Sequence, residues 1–109
     1  MDEYSKQEIA QLKRIIADLQ HQVEYDEVTG LLNSRGLTKQ AQPLLQQSSP
    51  GEYALLYFDV LRFKAINDMF GMGEGDKLLR HIAHILQLMQ QQGELVCRWG
   101  ADRFIMLAH

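Results

Sequence analysis

The sequence lacks most of the features that mark secreted, membrane-spanning and nucleic-acid-binding proteins. Its 109 residues include one cysteine, Cys97, so no internal disulfide can form, and the apolar residues around it predict a buried thiol. No apolar run is long enough to cross a bilayer, and the charged N-terminus is not that of a signal peptide, so we expect a cytoplasmic protein. The net charge of −3, without a basic stripe, argues against binding to nucleic acid.

What the chain does contain is enough apolar residues for one core. With 46% hydrophobic and 23% charged residues, the composition predicts a single small globular domain. The stretch from Tyr53 to Asp59 holds six apolar residues without alternation and ends on a carboxylate. Such a run predicts a strand that is buried on both faces. Asp59 would then lie at its carboxyl end, where open α/β sheets bind ligands.

The segment after this strand carries a motif. We expect Phe63 to Asp68 to form a short helical turn, followed by a glycine-rich loop over residues 71–75. From residue 59 to residue 76 the chain resembles the core of the GGDEF (diguanylate cyclase) family, Asp-x-Asp-x-Phe-Lys-x-Ile-Asn-Asp-x-x-Gly-His-x-x-Gly-Asp. It departs from that pattern at Leu61 and Met72, where the family has aspartate and histidine. The residues in register are Asp59, Phe63, Lys64, Ile66, Asn67, Asp68, Gly71, Gly75 and Asp76.

A second motif precedes the strand. Asp26 to Arg35 reads Asp-Glu-Val-Thr-Gly-Leu-Leu-Asn-Ser-Arg, which is similar to the segment that opens the family's domain. The resemblance implies an ion pair between Asp26 and Arg35. Asn33 or Ser34 can cap the helix that follows, over about residues 35–47. Pro43 removes a backbone donor inside that helix and should kink it.

The C-terminal part predicts a helix and a hairpin. An apolar stripe favours a helix over about residues 74–92, with Gly93 as its C-cap. His81 and His84 are three residues apart, but no third metal ligand is near in sequence, so surface histidines are favoured over a metal pair. Residues 95–99 and 104–107 are apolar strands that we expect to form a β-hairpin. Its connection is Gly-Ala-Asp-Arg, where the family carries Gly-Gly-Asp/Glu-Glu. The helical stripe consists of Leu78, Ile82, Ile85, Leu86 and Met89.

The first 25 residues predict an amphipathic helix. Its apolar residues recur at spacings of three and four, with Ile and Val at the a positions and Leu at d, which favours a parallel two-stranded coiled coil. The seam covers only about two and a half heptads, so a helix packed on its own domain is the alternative. We expect a homodimer through the seam residues, which are Ile9, Leu12, Ile16, Leu19 and Val23.

The resemblance also implies a reaction and a set of site residues. Family members join two GTP molecules into cyclic di-GMP. By matching positions, Asp59, Asp102 and the backbone carbonyl of Val60 would hold Mg²⁺, which suits oxygen ligands, and Asp102 would also be the catalytic residue of the hairpin. A turn is the structural alternative for Asp102. The positions that the resemblance assigns to the nucleotide are Asn67 and Asp76 for the guanine base, Lys64 for the phosphates, and Phe63.

Several positions depart from the family pattern. Ala101 replaces the second glycine of the hairpin, Arg103 replaces a glutamate, and Leu61 removes a second acid. Residues 91–94 lack the Arg-x-x-Asp of product inhibition. The family's second half, which carries the lysine and arginine that hold the triphosphate, has no counterpart here. We therefore expect the chain to be catalytically inactive.

The sequence thus predicts an α/β fold. Residues 1–25 would form a coiled-coil-like helix, and residues 26–109 half of a nucleotidyl-cyclase-like (GGDEF, ferredoxin-like palm) domain. A central strand without further neighbours would leave an open edge and an apolar patch, a second route to self-association. We expect a degenerate GGDEF module that acts in cyclic di-GMP signalling through regulation or dimerisation. The alternative is a fragment of a diguanylate cyclase that condenses two GTP into cyclic di-GMP with Mg²⁺.

Overall fold

The computed structural model describes residues 5–109, and in this range the chain forms four helices and three strands. The elements are α1 (Lys6–Glu24), α2 (Ser34–Gln46), β1 (Ala54–Asp59), α3 (Phe63–Phe70), α4 (Met72–Met89), β2 (Leu95–Gly100) and β3 (Arg103–Ala108). The expected α/β class is confirmed. Within the described range no helix is both long and apolar enough to cross a membrane. The predicted helical residues 1–4 lie outside the described residues.

The described strands form one antiparallel sheet in the order β1-β3-β2. β2 and β3 are the predicted hairpin, and a two-residue connection, Ala101 and Asp102, joins them. Their register shifts once, at a bulge at Trp99. β1 pairs along its whole length with β3, which places Asp59 opposite Arg103. The turn of the hairpin therefore lies beside the carboxyl end of β1.

Helices cover both faces of β2 and β3. Neighbouring residues along these strands contribute to different core clusters, as expected when successive side chains point to opposite faces. α4 packs in the larger cluster, whose buried residues are Leu31, Leu79, Ala83, Leu86, Val96, Phe104 and Met106. α2 packs in the other cluster, whose buried residues are Leu32, Leu37, Cys97 and Ile105. The predicted burial of Cys97 is confirmed, and burial, helped by the charge of Asp26, raises the pKa of its thiol to about 12.

β1 is an edge strand, so the expectation that it is buried on both faces is wrong. Leu55, Leu56 and Tyr57 are 42–62% exposed, because α2 and α4 pack mainly on the other two strands. No other strand of the described range pairs with the outer edge of β1. An apolar groove of about 340 Å³ also remains between α2 and the sheet, with Leu55 and Trp99 in its lining. The expected open edge and apolar patch are both present.

The glycine-rich segment forms a tight joint between two helices, so the loop expected over residues 71–75 is wrong. Only Gly71 separates α3 from α4, and its φ of +90° favours glycine. Gly73 and Gly75 lie inside α4. A Cβ added at Gly75 would lie 1.8 Å from the Oδ1 atom of Asn67. Glycine at this position therefore allows α4 to approach α3 closely.

α4 ends earlier than expected and buries only part of the predicted stripe. The helix stops at Met89 with Gln90 as its cap, so Gly93 lies in the next turn and is not the C-cap. Ile85 and Met89 are exposed, because the buried face of the helix includes the small residues Gly75 and Ala83, which a pattern of large apolar residues does not reveal. The buried residues of α4 are Gly75, Leu79, Ala83 and Leu86. His81 and His84 are exposed, as expected.

The first two helices begin with side-chain caps. The Ser5 hydroxyl accepts a hydrogen bond from the N–H of Glu8 at the start of α1. Of the two candidate caps for α2, Asn33 takes this position, and its Oδ1 accepts from the N–H of Gly36 over 2.9 Å. The helix continues through Pro43 to Gln46.

The apolar seam of α1 does not pack on its own domain. Its five residues, Ile9, Leu12, Ile16, Leu19 and Val23, are 42–54% exposed. The alternative in which this stripe completes the core of the same chain is therefore wrong. An exposed seam of this length is typical of a helix that meets another helix.

Candidate functional site

An open cleft lies where the end of β1, the β2–β3 turn and the start of α3 meet. Its volume is about 560 Å³. Asp59 lies at the end of β1, the β2–β3 turn faces it, and the first two turns of α3 form the other side of the cleft. The lining residues are Asp59, Val60, Leu61, Arg62, Phe63, Lys64, Asn67, Ala101 and Asp102. The structure thus brings all but one of the site residues proposed from sequence into one cleft. The exception is Asp76, which lies in α4 outside this lining.

Two carboxylates of the cleft lie close enough to interact. Because the Asp102 carboxylate can accept a hydrogen bond from the protonated form of Asp59, its proximity raises the pKa of Asp59, with smaller contributions from desolvation and from the charge of Asp102. The backbone also joins them, because the N–H of Val60 donates to the carbonyl oxygen of Asp102 over 3.3 Å. Adjacent carboxylates favour a proton or a cation between them.

A cation of the chain itself faces this acidic pair. Arg103 lies directly opposite Asp59 in the antiparallel register, at the position where the family pattern has a glutamate. Its charge acts to lower the pKa of Asp59, against the effect of Asp102. Residues directly opposite in such a pair have Cβ atoms about 4.5–5.5 Å apart. The guanidinium can therefore reach the carboxylate.

The turn that carries Asp102 has a strained backbone. Ala101 adopts a φ of +49°, in the left-handed region where a side chain costs about 1 kcal/mol or more relative to glycine. The family pattern has glycine at this position, which avoids that strain. On the rim of the cleft, Leu61 is 87% exposed where the pattern has a second acid. Both departures change the cleft's shape and charge without disturbing the core.

Asn67 leaves a polar atom unsatisfied. Its Oδ1 is buried and has no hydrogen-bond partner in the described part of the chain, which is uncommon in folded proteins. The same atom faces Gly75 of α4, and the ring of Phe63 lies beside it. Asn67 thus sits where α3, α4 and the cleft come together. Because this atom is buried against Gly75, a ligand would reach it only if the Asn67 side chain turned toward the cleft.

The donor set fits a hydrated divalent ion better than a fully enclosed one. Carboxylates and nearby backbone oxygens are ligands for Mg²⁺, which keeps several of its waters. Residues 5–109 contain no group of three or more His, Cys, Asp or Glu side chains placed to hold a metal. Asp59 and Asp102 would therefore supply the side-chain ligands alone, in the presence of Arg103.

An ion pair beside this cleft was not anticipated from the sequence. Asp26 does not pair with Arg35 as the resemblance implied; its carboxylate accepts from Nη1 of Arg98 at 3.0 and 3.2 Å. Burial tends to raise the pKa of Asp26, but hydrogen bonds from Thr29 and Arg98 and the charge of Arg98 outweigh it and hold that pKa below its usual value. The one signal in the sequence was a charged residue, Arg98, inside an otherwise apolar strand.

A family model matches most of the chain. Residues 23–109 match the model for "Diguanylate cyclase, GGDEF domain". The diguanylate cyclase DgcM of Escherichia coli strain K12 is 37% identical over 102 residues, which cover 92% of this chain and 25% of DgcM. The chain therefore spans about a quarter of the length of that curated relative.

Solved structures show the same fold. The coiled coil and GGDEF domain of DgcB from Caulobacter crescentus, in complex with c-di-GMP, superimposes with a TM-score of 0.83 over 93% of this chain and 54% of that one. At 21% identity this likeness concerns the fold alone, and its extent includes most of α1. A sensory box/GGDEF family protein of the same species is 36% identical, with a TM-score of 0.68 over 78% of this chain and 57% of that one.

Proposed function

The chain belongs to the GGDEF (diguanylate cyclase) family, and on this premise we propose that it is a regulatory module of cyclic di-GMP signalling that does not itself condense GTP. In this proposal α1 pairs two copies of the chain, and the cleft binds a guanine nucleotide weakly with Mg²⁺. The observation that carries the proposal is the position of Arg103 opposite Asp59.

Arg103 opposes the metal-dependent chemistry of the family. Phosphoryl transfer of this kind depends on carboxylates that hold a divalent ion against the phosphates. A guanidinium within reach of Asp59 offers the acid an internal partner and repels an incoming cation. We expect Mg²⁺ to bind more weakly than it would if residue 103 were a glutamate.

The turn gives a second reason for inactivity. Ala101 places a methyl group at the edge of the cleft, where the family's glycine allows the backbone to approach a phosphate closely. Its φ is also positive, in the region of backbone conformation that favours glycine. Leu61 removes an acid from the same rim. Three changes in one cleft act together, because the parts of an active site depend on one another.

Nucleotide binding can persist without catalysis. Asp59, Asp102 and the carbonyl of Val60 would hold Mg²⁺, which when bound would neutralise phosphate charge. Lys64 lies in the same lining and offers a further cation. The remaining contacts would come from Asn67, once its side chain turns toward the ligand, from Phe63 beside it, and from Asp76, which would have to approach from α4.

Pairing through α1 is supported by its exposed seam. An apolar stripe that is about half exposed along about four turns of helix is stabilised when a second helix covers it. The structure of DgcB is described as a coiled coil with a GGDEF domain. We propose that α1 of this chain forms a parallel pair with α1 of a second copy.

The second candidate is a diguanylate cyclase. The contact between Asp59 and Asp102 favours it, because a carboxylate pair at the end of a strand suits metal binding. In this alternative the chain would take part in condensing two GTP into cyclic di-GMP, and Arg103 would move away when the metal binds.

Titration calorimetry with a non-hydrolysable GTP analogue, with and without Mg²⁺, tests the proposal together with a chromatographic assay for cyclic di-GMP. We expect Mg²⁺-dependent binding that Asp59→Ala abolishes and Asn67→Ala weakens, and no product from GTP. Formation of cyclic di-GMP by the wild-type chain would refute the inactive module and support the cyclase.

A reversal variant sharpens the test. Ala101→Gly combined with Arg103→Glu restores the family residues in the turn, and we expect tighter Mg²⁺ binding than in the wild-type chain. Arg80→Glu makes the same charge change on an exposed position of α4 and controls for net charge. Equal Mg²⁺ affinity in the wild type and the double variant would show that these departures do not limit the site.

A further inference from the structure

We propose that Arg98 is a positioning residue that ties the end of α1 to the turn that carries Asp102. Through this link the position of the α1 junction sets the geometry of the cleft. The inference rests on the proposed function, since it concerns how the same cleft is regulated. It is carried by one side chain that holds two separate segments of the chain.

The first contact of Arg98 is with the junction that follows α1. Its Nη1 donates to both carboxylate oxygens of Asp26, at 3.0 and 3.2 Å. The same carboxylate accepts from the backbone N–H and the hydroxyl of Thr29, at 2.8 and 2.7 Å. Asp26 thus fixes the turn that leaves α1. The side chains of Arg98 and Asp26 are only 13% and 19% exposed, so water competes little for this contact.

The junction is in turn joined to the last residues of α1. The N–H of Asn33 donates to the carbonyl of Glu24 over 2.8 Å, and its side-chain Nδ2 donates to the carbonyl of Val23 over 2.7 Å. Both acceptors are carbonyls at the end of the helix, which have no partner within it. A Cβ added at Gly36 would lie 2.1 Å from the Glu24 carbonyl oxygen. The end of α1, the Asp26 turn and the start of α2 therefore form one connected unit.

The second contact of Arg98 is with the turn of the hairpin. Its Nε donates to the carbonyl oxygen of Ala101 over 2.9 Å. The next residue is Asp102, whose own carbonyl accepts from the N–H of Val60. Ala101 is held at a positive φ, and a strained conformation persists only when surrounding contacts fix it. Arg98 provides such a contact from inside the sheet.

Both contacts come from one rigid group. The guanidinium is planar, so the direction of Nη1 toward Asp26 also fixes the direction of Nε toward Ala101. Movement of Asp26 would rotate the group and change the hydrogen bond to the turn. Lysine has one terminal nitrogen and cannot make both contacts in the same way. Arg98→Lys therefore separates the two roles, because it keeps a cation for Asp26 and loses the donor to Ala101.

Hydrogen exchange in the unliganded chain tests the link without any need for nucleotide. The amide of Val60 reports the turn, and amides in the middle of β3 report opening of the whole sheet. We expect Arg98→Lys to raise the exchange rate of Val60 about tenfold relative to the β3 amides, which is the effect of one lost hydrogen bond. Asp26→Asn should raise the same rate by a smaller factor, although it is joined to Val60 only through Arg98.

A double-mutant cycle shows whether the two ends are coupled. If Arg98 carries the link, adding Asp26→Asn to Arg98→Lys produces no further rise at Val60, so the two effects are not additive. Arg80→Lys, on the exposed face of α4, is the matched control and should leave the exchange of Val60 unchanged. Additive effects of the two variants, or an unchanged Val60 rate in Arg98→Lys, would overturn the proposal. If Arg98→Lys fails to fold, Asp26→Asn alone decides, and an unchanged rate at Val60 refutes the link.

Metal binding separates this inference from the proposed function. Mn²⁺, detected by its effect on nuclear relaxation, serves as the probe for the Mg²⁺ site. We expect its affinity to fall about tenfold in Arg98→Lys if the turn positions Asp102. Absence of Mn²⁺ binding in the wild-type chain would refute the proposed function, while the exchange result would still decide the role of Arg98. Equal Mn²⁺ affinity in both chains, together with unchanged exchange, would refute the positioning role and leave the site intact.

Discussion

Asp26 and Asp59 each stand at the end of a secondary-structure element, and they differ in burial and in their main hydrogen-bond partners. Asp26 follows α1 and accepts hydrogen bonds from Thr29 and Arg98. Its pKa lies below the usual value, because these contacts outweigh the effect of burial. Asp59 ends β1 in an open cleft, and its pKa is raised, first by the side chain of Asp102.

The difference separates a structural acid from a candidate functional one. A carboxylate whose acceptor sites are filled by the protein stabilises the fold and has little capacity left for a ligand. A carboxylate held next to another, with few protein donors, is stabilised by an added cation. The family's catalytic chemistry is expected at the second kind of site, and the anchoring of α1 at the first.

Removal of the Asp26 carboxylate should cause the largest loss of stability. In Asp26→Ala, Arg98 is left largely buried without its charged partner, and breaking such a pair costs about 3 kcal/mol in the free energy of unfolding. For a domain of this size the melting temperature should fall by roughly 10 °C. Urea denaturation and thermal scans of the purified chain measure both quantities.

Asp59→Ala is the matched control for this measurement. It removes the same side chain from an exposed position, so its melting temperature should stay close to the wild-type value. Equal destabilisation by the two substitutions would show that the contrast between the structural and the functional acid does not hold.

For metal binding, in contrast to stability, we expect substitution of Asp59 to have the larger effect. Asp59→Asn should weaken Mn²⁺ binding by at least about tenfold, because it removes one of the two carboxylates proposed as ligands. Asp68→Asn neutralises an acid on α3 that does not line the cleft, and it should leave the affinity unchanged. A titration followed by Mn²⁺ relaxation compares the three chains. The same loss in both variants would indicate a general effect of charge and no specific site.

A smaller gain is expected when Arg103 is changed to glutamate. The substitution removes a cation opposite Asp59 and adds an acid. Because the position is exposed, solvent screening limits the effect to about three- to tenfold in Mn²⁺ affinity. Arg80→Glu controls for net charge. An affinity that rises equally in both variants would mean that Arg103 does not act on the carboxylate pair.

Sequence patterns predicted the elements that depend on local rules. The hairpin followed from two short apolar runs around a polar connection, and the start of α2 followed from the capping side chain of Asn33. The cleft followed from a motif with fixed spacing, because Asp59 and Asp102 come together once β1 pairs with β3. The positive φ of Ala101 occurs where the family pattern has glycine. Each of these depends on neighbours along the chain or on one strand pairing.

The predictions that were wrong concern packing between segments that are distant in the sequence. β1 and β3 are both apolar, yet Phe104 of β3 is fully buried and Leu55 of β1 is 62% exposed, because burial depends on the strands and helices alongside. Gly75 was expected in a loop, but it lies in α4 where the close contact with Asn67 requires glycine. The Asp26–Arg98 pair joins residues 72 positions apart. Hydrophobic pattern and spacing carry no direct information on such contacts.

The smallest expected effect is the pH dependence of stability, and its sign differs between the two acids. Both start from an ordinary pKa of 3.8. The lowered pKa of Asp26 means that its stabilisation is present above that value and is lost as the pH falls through the native pKa. The raised pKa of Asp59 means that the folded chain holds this proton more tightly than the unfolded chain. Its contribution is therefore present at low pH and is lost as the pH rises through the native pKa.

Urea denaturation from about pH 3 to about pH 6 measures these contributions, when the wild-type chain is compared with Asp26→Asn and Asp59→Asn. The advantage of the wild type over Asp26→Asn should grow as the pH rises. Over the same range the stability of the wild type relative to Asp59→Asn should fall, because the amide introduced by that substitution stays neutral and does not repel Asp102. If both stability differences changed with pH in the same direction, the distinction between Asp26 as a structural acid and Asp59 as a candidate cation ligand would be contradicted.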